Sequence, residues 1–427
     1  MRTPHVIAAV LFALVGPGVA AQGSAVPPAA APELHGRLER HAGLCVVRLW
    51  GTPAERGYAH GRLLAEDIAA IVTAEFTARF ARRQPLLRQA RAAVGRLIEY
   101  PDDVQQELDA LWQGVVDSGV SRDMPELDRA FDRVDLLVAN AMDVFGLMGC
   151  SSFTVWGEQA VGGGVLTARN FDWPLTGDHV LERAVLLVQH HPDGRATAAV
   201  AWPGYVGAVT GVSADGVAAY LHVGSAEISL TPEPSSWPSA IAARKILERG
   251  AGGEAAAVFA DARRLLEYTS PPAGFLTHVV LPAVPAAGPP VASFETDVDE
   301  CVLAAPPPGP FVVTNHFRAR TDGRRASKDS LNRERQIADG IAGCFEVDDR
   351  SVDVDEAWRI LTSVERGGGH GFGTLHALVF RHEPWVFELR LAEHRDDGLV
   401  AAPSSRHRFA LTRAQVFGDG RGPGQAR

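Results

Sequence analysis

The stretch Met148–Pro174, MGCSSFTVWGEQAVGGGVLTARNFDWP, decides how the whole chain is interpreted. It contains two strand-length runs, SSFTVWG and VLTARNFD, separated by a glycine-rich segment that favours a turn. If the two runs pair as an antiparallel hairpin, the end of the second returns to the start of the first. The sequence therefore predicts that Arg169 and Asp172 lie beside Cys150.

Two interpretations of Cys150 are open. A buried cysteine that only fills the core is common. Its neighbours favour a reactive thiol instead: Gly149 gives the preceding bond backbone freedom, and the small hydroxyl residues Ser151 and Ser152 follow. A charged pair beside a thiol is also costly unless it is used or paired. We therefore treat Cys150 as a candidate nucleophile.

A base for this thiol is not evident among the side chains. The chain has 15 histidines, but none has a spacing that identifies it as the partner of Cys150. Cleavage of the bond between Gly149 and Cys150 would create an α-amine, whose ordinary pKa of about 7.7–8.0 leaves part of it neutral near pH 7. That amine could accept the thiol proton. The sequence thus favours a cysteine that is internal only in a precursor.

Composition limits the possible functions. The formal net charge of the 427-residue chain is -10, from 41 Lys+Arg against 51 Asp+Glu, which argues against a general nucleic-acid-binding surface. Residues 1–21 are typical of a signal peptide, and their apolar run is too short to span a bilayer. Residues 22–33 are rich in alanine and proline and indicate a disordered linker. We expect an exported protein with no integral membrane segment.

The secondary-structure pattern of the remaining chain changes at Cys150. Residues 34–149 are mainly helical by their apolar spacing, and residues 150–416 contain strand pairs flanked by helix pairs. Residues 417–427 are expected to form a flexible tail. This pattern predicts an α+β fold in which antiparallel sheets are covered by helices.

Several motifs occur in an order that resembles a known family. They are GTPAERGYAHGRLL (Gly51–Leu64), GCSSF, GGGVLTARNFDW, GVSADGVAAYLHV, VVTNHF and DSLNRERQI. Together they resemble the N-terminal-nucleophile hydrolases, specifically the isopenicillin N acyltransferase-like group related to choloylglycine hydrolases, from about Leu44 to Glu393. The resemblance implies an αββα sandwich, a precursor that cuts itself between Gly149 and Cys150, and cleavage of linear amides through an acyl-thioester. The acyl group then passes to water, as in an amidohydrolase, or to another acceptor, as in an acyltransferase.

The resemblance also implies roles for individual residues. Cys150 matches the nucleophile, and Arg169 and Asp172 match residues that orient its α-amine and thiol. Asn315 matches a donor of the oxyanion hole, and Arg333 matches a structural arginine near the site.

One position departs from the family pattern. Relatives have an asparagine where this chain has His222, with Tyr220 close by. We expect His222 and Tyr220 to contact the oxyanion or the substrate, with an ordinary core or surface histidine as the alternative. Asn170 is a further candidate, with a strand-end turn residue as its alternative.

Other expectations concern partners and cysteines. The sequence predicts a small-molecule amide substrate, no cofactor and no metal, and two self-cleaved fragments that stay associated. Hydrolysis of an ester or lipid on the same scaffold, and a catalytically silent exported binding protein, are the alternatives. Among the cysteines other than Cys150, we expect Cys301 and Cys344 to form the disulfide of an exported protein, leaving Cys45 free.

Overall fold

The structure is a computed structural model that describes residues 33–145, 148–174, 179–224, 236–252, 254–269, 271, 273–306, 309–320, 326–346, 350–367, 372–395 and 400–418. The signal peptide expected at residues 1–21 lies outside the described residues, as do residues 22–32 of the linker and 419–427 of the tail. No described helix is both long enough and apolar enough to cross a membrane.

The bounds of the elements are as follows. The helices are α1 Pro53–Leu63, α2 Ala65–Phe80, α3 Gln84–Ala93, α4 Asp102–Ser118, α5 Arg133–Asn140, α6 His179–Glu182, α7 Ser239–Arg249, α8 Ala255–Glu267, α9 Lys328–Glu346, α10 Val354–Ser363 and α11 Arg413–Phe417. The strands are β1 Gly36–His41, β2 Leu44–Trp50, β3 Asp123–Met124, β4 Arg129–Ala130, β5 Gly149–Trp156, β6 Val165–Pro174, β7 Val185–His190, β8 Ala196–Ala201, β9 Thr210–Ser213, β10 Ala218–Val223, β11 Phe275–Val280, β12 Val291–Thr296, β13 Cys301–Ala304, β14 Phe311–Val313, β15 Phe372–Arg381, β16 Val386–Leu391, β17 Glu393–His394, β18 Val400–Ala401 and β19 Phe409–Thr412.

Two large sheets form the centre of the fold. One sheet has nine strands in the order β1-β2-β7-β8-β9-β10-β11-β12-β13, and the other has six in the order β14-β5-β6-β15-β16-β19. All neighbouring strands are antiparallel except β2 and β7, which are parallel. The first two strands come from the segment before Cys150, so this mainly helical segment also supplies an edge of the nine-stranded sheet.

Alternation along the strands creates the layers. On β2, Val46 packs in the cluster between the two sheets, while Val47 packs against the helices that precede Cys150. On β5, Phe153 and Val155 face away from the other sheet and pack against α9 and α10. Helices α7 and α8 cover a further part of the nine-stranded sheet. Helices therefore lie outside both sheets, and the predicted αββα sandwich is confirmed.

The early motif GTPAERGYAHGRLL has a structural explanation in this fold. Gly57 and Gly61 lie where α1 crosses α4, so closely that a Cβ on Gly57 would lie 2.0 Å from the carbonyl oxygen of Glu107. On the opposing helix, a Cβ on Gly114 would lie 2.4 Å from a backbone oxygen of α1. Glycine is needed at these positions because the two helix backbones are in direct contact.

A buried ionic cluster joins the helices before Cys150 to those after it. The fully buried carboxylate of Glu107 on α4 accepts hydrogen bonds from Arg56 Nη2 at 3.3 Å and from Arg244 Nη2 on α7 at 2.6 Å. Arg244 also donates to Glu248 at 2.7 Å. Glu107 and Arg244 each make several such bonds, as a charge without solvent requires.

The expected disulfide is wrong. Cys301 lies on β13, beside α8. Cys344 lies on α9, which covers the opposite outer face of the sandwich. The two sheets therefore separate the predicted partners, and all four cysteines are free thiols.

Candidate active site around Cys150

The predicted hairpin is present, with β5 and β6 as its arms. The register pairs Gly149 with Asp172, Cys150 with Phe171, and Ser152 with Arg169. Since side chains alternate along a strand, Cys150 and Ser152 face the space between the sheets, and Ser151 faces the outer helices. The hairpin therefore delivers one face of polar residues to the inside of the sandwich.

Gly149 is needed for space and not for an unusual backbone conformation. It is extended within β5 in the unbroken chain. A Cβ at this position would lie 2.9 Å from two ring carbons of Phe372 and 3.2 Å from Cβ of Asp172. The residue before Cys150 is small because two neighbouring side chains occupy the place of its own.

The thiol of Cys150 is fully buried in the unbroken chain. Its sulfur lies 3.2 Å from Nη2 of Arg169 and 3.5 Å from the carbonyl oxygen of Leu221. Burial raises the pKa of the Cys150 thiol to about 11, although the positive charge of Arg169 acts in the opposite direction. The sulfur is thus a neutral thiol at pH 7 before any cleavage.

Arg169 fills the space between the sheets beside the sulfur. Its guanidinium carbon lies 5.6 Å from the ring centre of Phe171 and 5.5 Å from that of Tyr220. Nη2 donates to the Leu221 carbonyl at 2.6 Å, and Nη1 lies 3.0 Å from Nε2 of His222. The aromatic faces, the carbonyl and the imidazole solvate this buried cation.

His222 is neutral in this arrangement. Because arginine can only donate, Nε2 of His222 accepts from Arg169, and the imidazole proton is on Nδ1. Burial, followed by the charge of Arg169, holds the pKa of His222 well below its ordinary value. The structure therefore places His222 beside the guanidinium of Arg169, and its predicted contact with an oxyanion stays a prediction.

A chain of buried polar groups continues from His222 between the sheets. Ser152 Oγ lies 2.9 Å from Nε2 of His222 and 2.7 Å from Nδ1 of His278, and Thr154 Oγ1 lies 3.1 Å from Nε2 of His278. Burial lowers the pKa of His278 to about 3. These contacts were not predicted from the sequence, although Ser152 and Thr154 share the strand face of Cys150 and alternation indicates that both face the same space.

Asn315 and Arg333 hold the backbone of Cys150. The Cys150 N–H donates to Oδ1 of Asn315 at 2.9 Å, and the same oxygen accepts from Nη2 of Arg333 at 2.7 Å. Arg333 also donates to Ser151 Oγ at 2.6 Å and to the Cys150 carbonyl. Nδ2 of Asn315, the expected oxyanion donor, donates to the Val223 carbonyl at 2.8 Å in the unbroken chain.

Asp172 lies near Gly149 but does not point toward the sulfur. It is three residues from Arg169 on β6, so the two side chains are on opposite faces of the sheet. Its carboxylate accepts from Thr374 Oγ1 at 2.7 Å and from Arg366 Nε at 3.1 Å. Burial raises the pKa of Asp172 against these donors. The expectation of a charged pair beside the thiol is correct for Arg169 and wrong for the carboxylate.

Asn170 and Tyr220, the other two candidate residues, lie on opposite faces of their sheets with respect to the site. Nδ2 of Asn170 donates to the Leu361 carbonyl on α10 at 2.8 Å, so Asn170 links β6 to an outer helix and does not face the site. Tyr220 lies between the sheets, and burial raises the pKa of its phenol above its ordinary value. Its ring packs against Arg169, which makes it a neighbour of the guanidinium rather than of the sulfur.

An apolar pocket lies next to the start of β5. Its space is about 810 Å³ including the open mouth, and its walls are mostly aliphatic and aromatic. Lining residues include Val72, Phe76, Leu136, Met148, Phe171, Trp173, Trp202, Tyr205 and Val209. Phe171 is the register partner of Cys150, and Met148 precedes the cysteine by two residues. The pocket can hold an apolar group close to the sulfur.

The described residues include no cluster of three or more His, Cys, Asp or Glu side chains with the geometry to hold a metal ion.

Comparisons with known proteins found distant likenesses. No family model matches the chain. A curated relative, "Protein dcd1B" of Dictyostelium discoideum, is 27% identical over 182 residues, which cover 39% of this chain and 36% of that protein. The alignment thus spans little more than a third of that relative.

Three solved structures are similar in their chain path. A Caenorhabditis elegans N-acylethanolamine-hydrolyzing acid amidase ortholog has a TM-score of 0.39 and 12% identity, with 55% of this chain and 93% of that chain covered. A conjugated bile acid hydrolase mutant of Clostridium perfringens has a TM-score of 0.39 and 10% identity, covering 62% and 96%. Penicillin V acylase of Agrobacterium tumefaciens has a TM-score of 0.41 and 13% identity, covering 64% and 89%. The resemblance seen in the sequence is confirmed at the level of fold by this chain's own layers.

Proposed function

We propose that this chain is a self-processing amidohydrolase whose nucleophile is Cys150 and whose substrate is a linear amide with an apolar acyl group. The observation that carries the proposal is the position of Cys150: its sulfur touches Arg169 at 3.2 Å, and its strand begins at the wall of an apolar pocket.

The first step is cleavage of the precursor. The Cys150 thiol attacks the Gly149 carbonyl carbon, the bond from that carbon to the Cys150 nitrogen breaks, and the nitrogen takes up a proton. The resulting thioester joins the Gly149 acyl group to the sulfur. Water then hydrolyses this thioester, which releases a Gly149 carboxylate and leaves Cys150 with a free thiol and a free α-amine.

Burial of the thiol supports the need for this cleavage. In the unbroken chain Cys150 is fully buried, and Met148 packs in the same apolar cluster and also lines the pocket. A substrate in the pocket cannot reach the sulfur while the residues before Cys150 stay in place. Once the chain is cut, the end that carries Met148 can move away and open the pocket to the thiol.

The second step is attack on the substrate. The α-amine of Cys150 accepts the thiol proton, and the thiolate adds to the substrate's amide carbonyl. Asn315 Oδ1, which already accepts from the Cys150 nitrogen, orients this amine, and Arg333 fixes the asparagine by the bond to the same oxygen. The substrate amine leaves with a proton, and water hydrolyses the acyl-thioester.

Arg169 stabilises the thiolate. A fixed positive charge in contact with the sulfur favours the ionised form, and the low-dielectric surroundings strengthen that effect. The polar chain through His222, Ser152 and His278 keeps the guanidinium in place, since the neutral imidazole of His222 accepts from it. The charge of Arg169 thus offsets part of the cost of ionising a buried thiol.

The two cleaved fragments would remain associated in one folded protein. Strands β1 and β2 belong to the nine-stranded sheet, and Glu107 joins the Arg244 guanidinium across the cleavage point of the sequence. Export through the signal peptide at residues 1–21 is part of the same proposal, resting on the sequence pattern alone.

Activity of the purified protein on a series of p-nitroanilides from acetyl to decanoyl tests the proposal. We expect cleavage that improves with acyl length, because each buried methylene contributes about 0.8 kcal/mol. The Cys150→Ala variant should be inactive, and Cys344→Ala, on an outer helix, should be fully active. Cleavage of matching p-nitrophenyl esters alone would favour an ester or lipid hydrolase. Amide cleavage that persists in Cys150→Ala would refute the proposal.

A further inference from the structure

One wall of the apolar pocket is a tight turn, residues 202–206. It carries Trp202 and Tyr205 into the pocket and passes through Gly204, whose φ is +84°. The backbone of the turn makes one bond of its own, from the Tyr205 N–H to the Trp202 carbonyl at 2.9 Å. The other polar groups of this buried backbone must find partners elsewhere.

Side chains from the segment before Cys150 supply those partners. Nε2 of His60 on α1 accepts the Gly204 N–H at 3.0 Å. Asn140 on α5 binds the turn twice: its Nδ2 donates to the Gly204 carbonyl at 2.8 Å, and its Oδ1 accepts the Val206 N–H at 2.8 Å. Both side chains are fully buried, and residues 202–206 belong to no strand.

The fourth polar group of the turn, the Val206 carbonyl, is also held by a side chain, which comes from α7. The Val206 carbonyl accepts from Nη1 of Arg244 at 3.0 Å, and Arg244 is itself fixed by Glu107 on α4. The conformation of the turn is therefore set by side chains that reach it from other layers. A buried amide that loses its acceptor costs about 1–3 kcal/mol, enough to change a turn that is held by so few hydrogen bonds.

We propose that His60 and Asn140 are positioning residues that shape the acyl pocket by holding the turn at residues 202–206. They do not touch the reacting atoms. They keep Trp202 and Tyr205 against the rest of the wall, so they determine how well a long apolar acyl group fits. Their effect on the fit of an acyl group rests on the proposed function, whereas their effect on the turn does not.

Turnover of the smallest substrate, the acetyl anilide, should not depend on His60 and Asn140. An acetyl group needs little of the apolar wall, but a decanoyl group has to fill it. Loss of either positioning residue should therefore raise KM for the decanoyl anilide and leave kcat for the acetyl anilide close to that of the parent protein. This separation distinguishes a pocket effect from general damage to the site around Cys150.

The test uses His60→Leu and Asn140→Ala, with His60→Gln as a conservative variant whose side-chain oxygen can still accept a hydrogen bond. Gln113→Ala on α4 is the matched control, because it removes an exposed amide from the same segment. Hydrogen exchange at the Gly204 and Val206 amides is measured in each. We expect exchange to rise by about 10- to 100-fold in the first two variants, partial rescue in His60→Gln, and no change in Gln113→Ala.

Binding of decanoate, measured by calorimetry, gives a readout that needs no turnover. We expect affinity to fall about tenfold or more in His60→Leu and Asn140→Ala. Unchanged exchange at both amides, or unchanged decanoate affinity with faster exchange, would overturn the inference. If the parent protein binds decanoate, the variants lose it, and yet no amide is ever cleaved, the positioning role stands and the proposed reaction fails. A parent protein that does not bind decanoate overturns the pocket assignment as well.

Discussion

The guanidinium of Arg169 and the sulfur of Cys150 lie 3.2 Å apart, on neighbouring strands of one hairpin and inside the space between two sheets. In the unbroken chain neither group is exposed to solvent. A buried cation in contact with a thiol, close to an apolar pocket, is the arrangement from which the proposed chemistry follows.

Replacement of Arg169 should change the pH dependence of the mature protein. Without the positive charge, the pKa of the Cys150 thiol rises, because Arg169 is the largest of the influences that oppose the effect of burial. Since the thiolate attacks, the acid limb of the pH–rate profile for Arg169→Gln should move to higher pH by about 1–3 units. Arg264→Gln changes an exposed arginine and should leave the profile in place. An acid limb at the parent pH in Arg169→Gln would remove Arg169 from the mechanism.

Replacement of Cys150 should prevent processing. Cys150→Ala has no thiol to attack the Gly149 carbonyl, so the protein should migrate as one chain on a denaturing gel. Cys45→Ala, which removes a half-buried thiol on β2, should be processed like the parent protein. Processing of Cys150→Ala at this bond would contradict self-cleavage by the cysteine.

The hairpin could be predicted from the sequence because its signals are local. Two runs with strand residues and three consecutive glycines between them fix the pairing, and the pairing brings Arg169 to Cys150. The face of the sheet on which the Asp172 side chain lies could also be predicted, since an odd separation from Arg169 along the strand puts the two side chains on opposite faces. The expectation that the Asp172 carboxylate lies beside the thiol is wrong because it does not take this alternation into account.

The contacts between layers could not be predicted in this way. His278 reaches Ser152 only because the two sheets stack, and the sequence does not specify how two sheets are placed against each other. The same is true of His60 and Asn140, which meet the turn at residues 202–206 from distant helices. Gly57 and Gly61 were recognised as part of a motif, but their role in a close helix crossing needed the position of α4.

Glu107 should be important for stability. Its neutralisation in Glu107→Gln removes the carboxylate that pairs with Arg56 and leaves Arg244 with Glu248, and breaking one partner of a buried ion pair costs about 3–5 kcal/mol. Asp109→Asn is the control on the same helix, since its ion pair with Arg133 is exposed and worth at most about 1 kcal/mol. Urea unfolding measures both. Equal losses in the two variants would contradict a special role for the buried cluster.

The same carboxylate should contribute to the loss of stability in acid. Burial alone would raise the pKa of Glu107, but Arg244 and Arg56 together hold it below its ordinary value. A group whose pKa is lower in the folded state stabilises the fold above its unfolded pKa and loses that contribution as the pH falls through the folded value. The unfolding midpoint of the parent protein should therefore fall more steeply below about pH 4 than that of Glu107→Gln. Parallel curves would contradict this assignment.

The crossing of α1 and α4 should not tolerate a larger residue. Gly57→Ala places a Cβ 2.0 Å from the Glu107 carbonyl oxygen, so the helices must separate and the thermal midpoint should fall by several degrees. Gly343→Ala on α9 meets nothing within 4 Å and should be neutral or stabilising. Thermal unfolding followed by circular dichroism measures the difference. A Gly57→Ala protein as stable as the parent would show that the helices do not cross this closely.

Intact mass and N-terminal sequencing of the active protein test the central claim most directly. We predict two chains that purify together, the second of which begins Cys-Ser-Ser-Phe with a free α-amine at Cys150. An enzyme that cleaves its amide substrate while the bond between Gly149 and Cys150 is still intact would contradict the account.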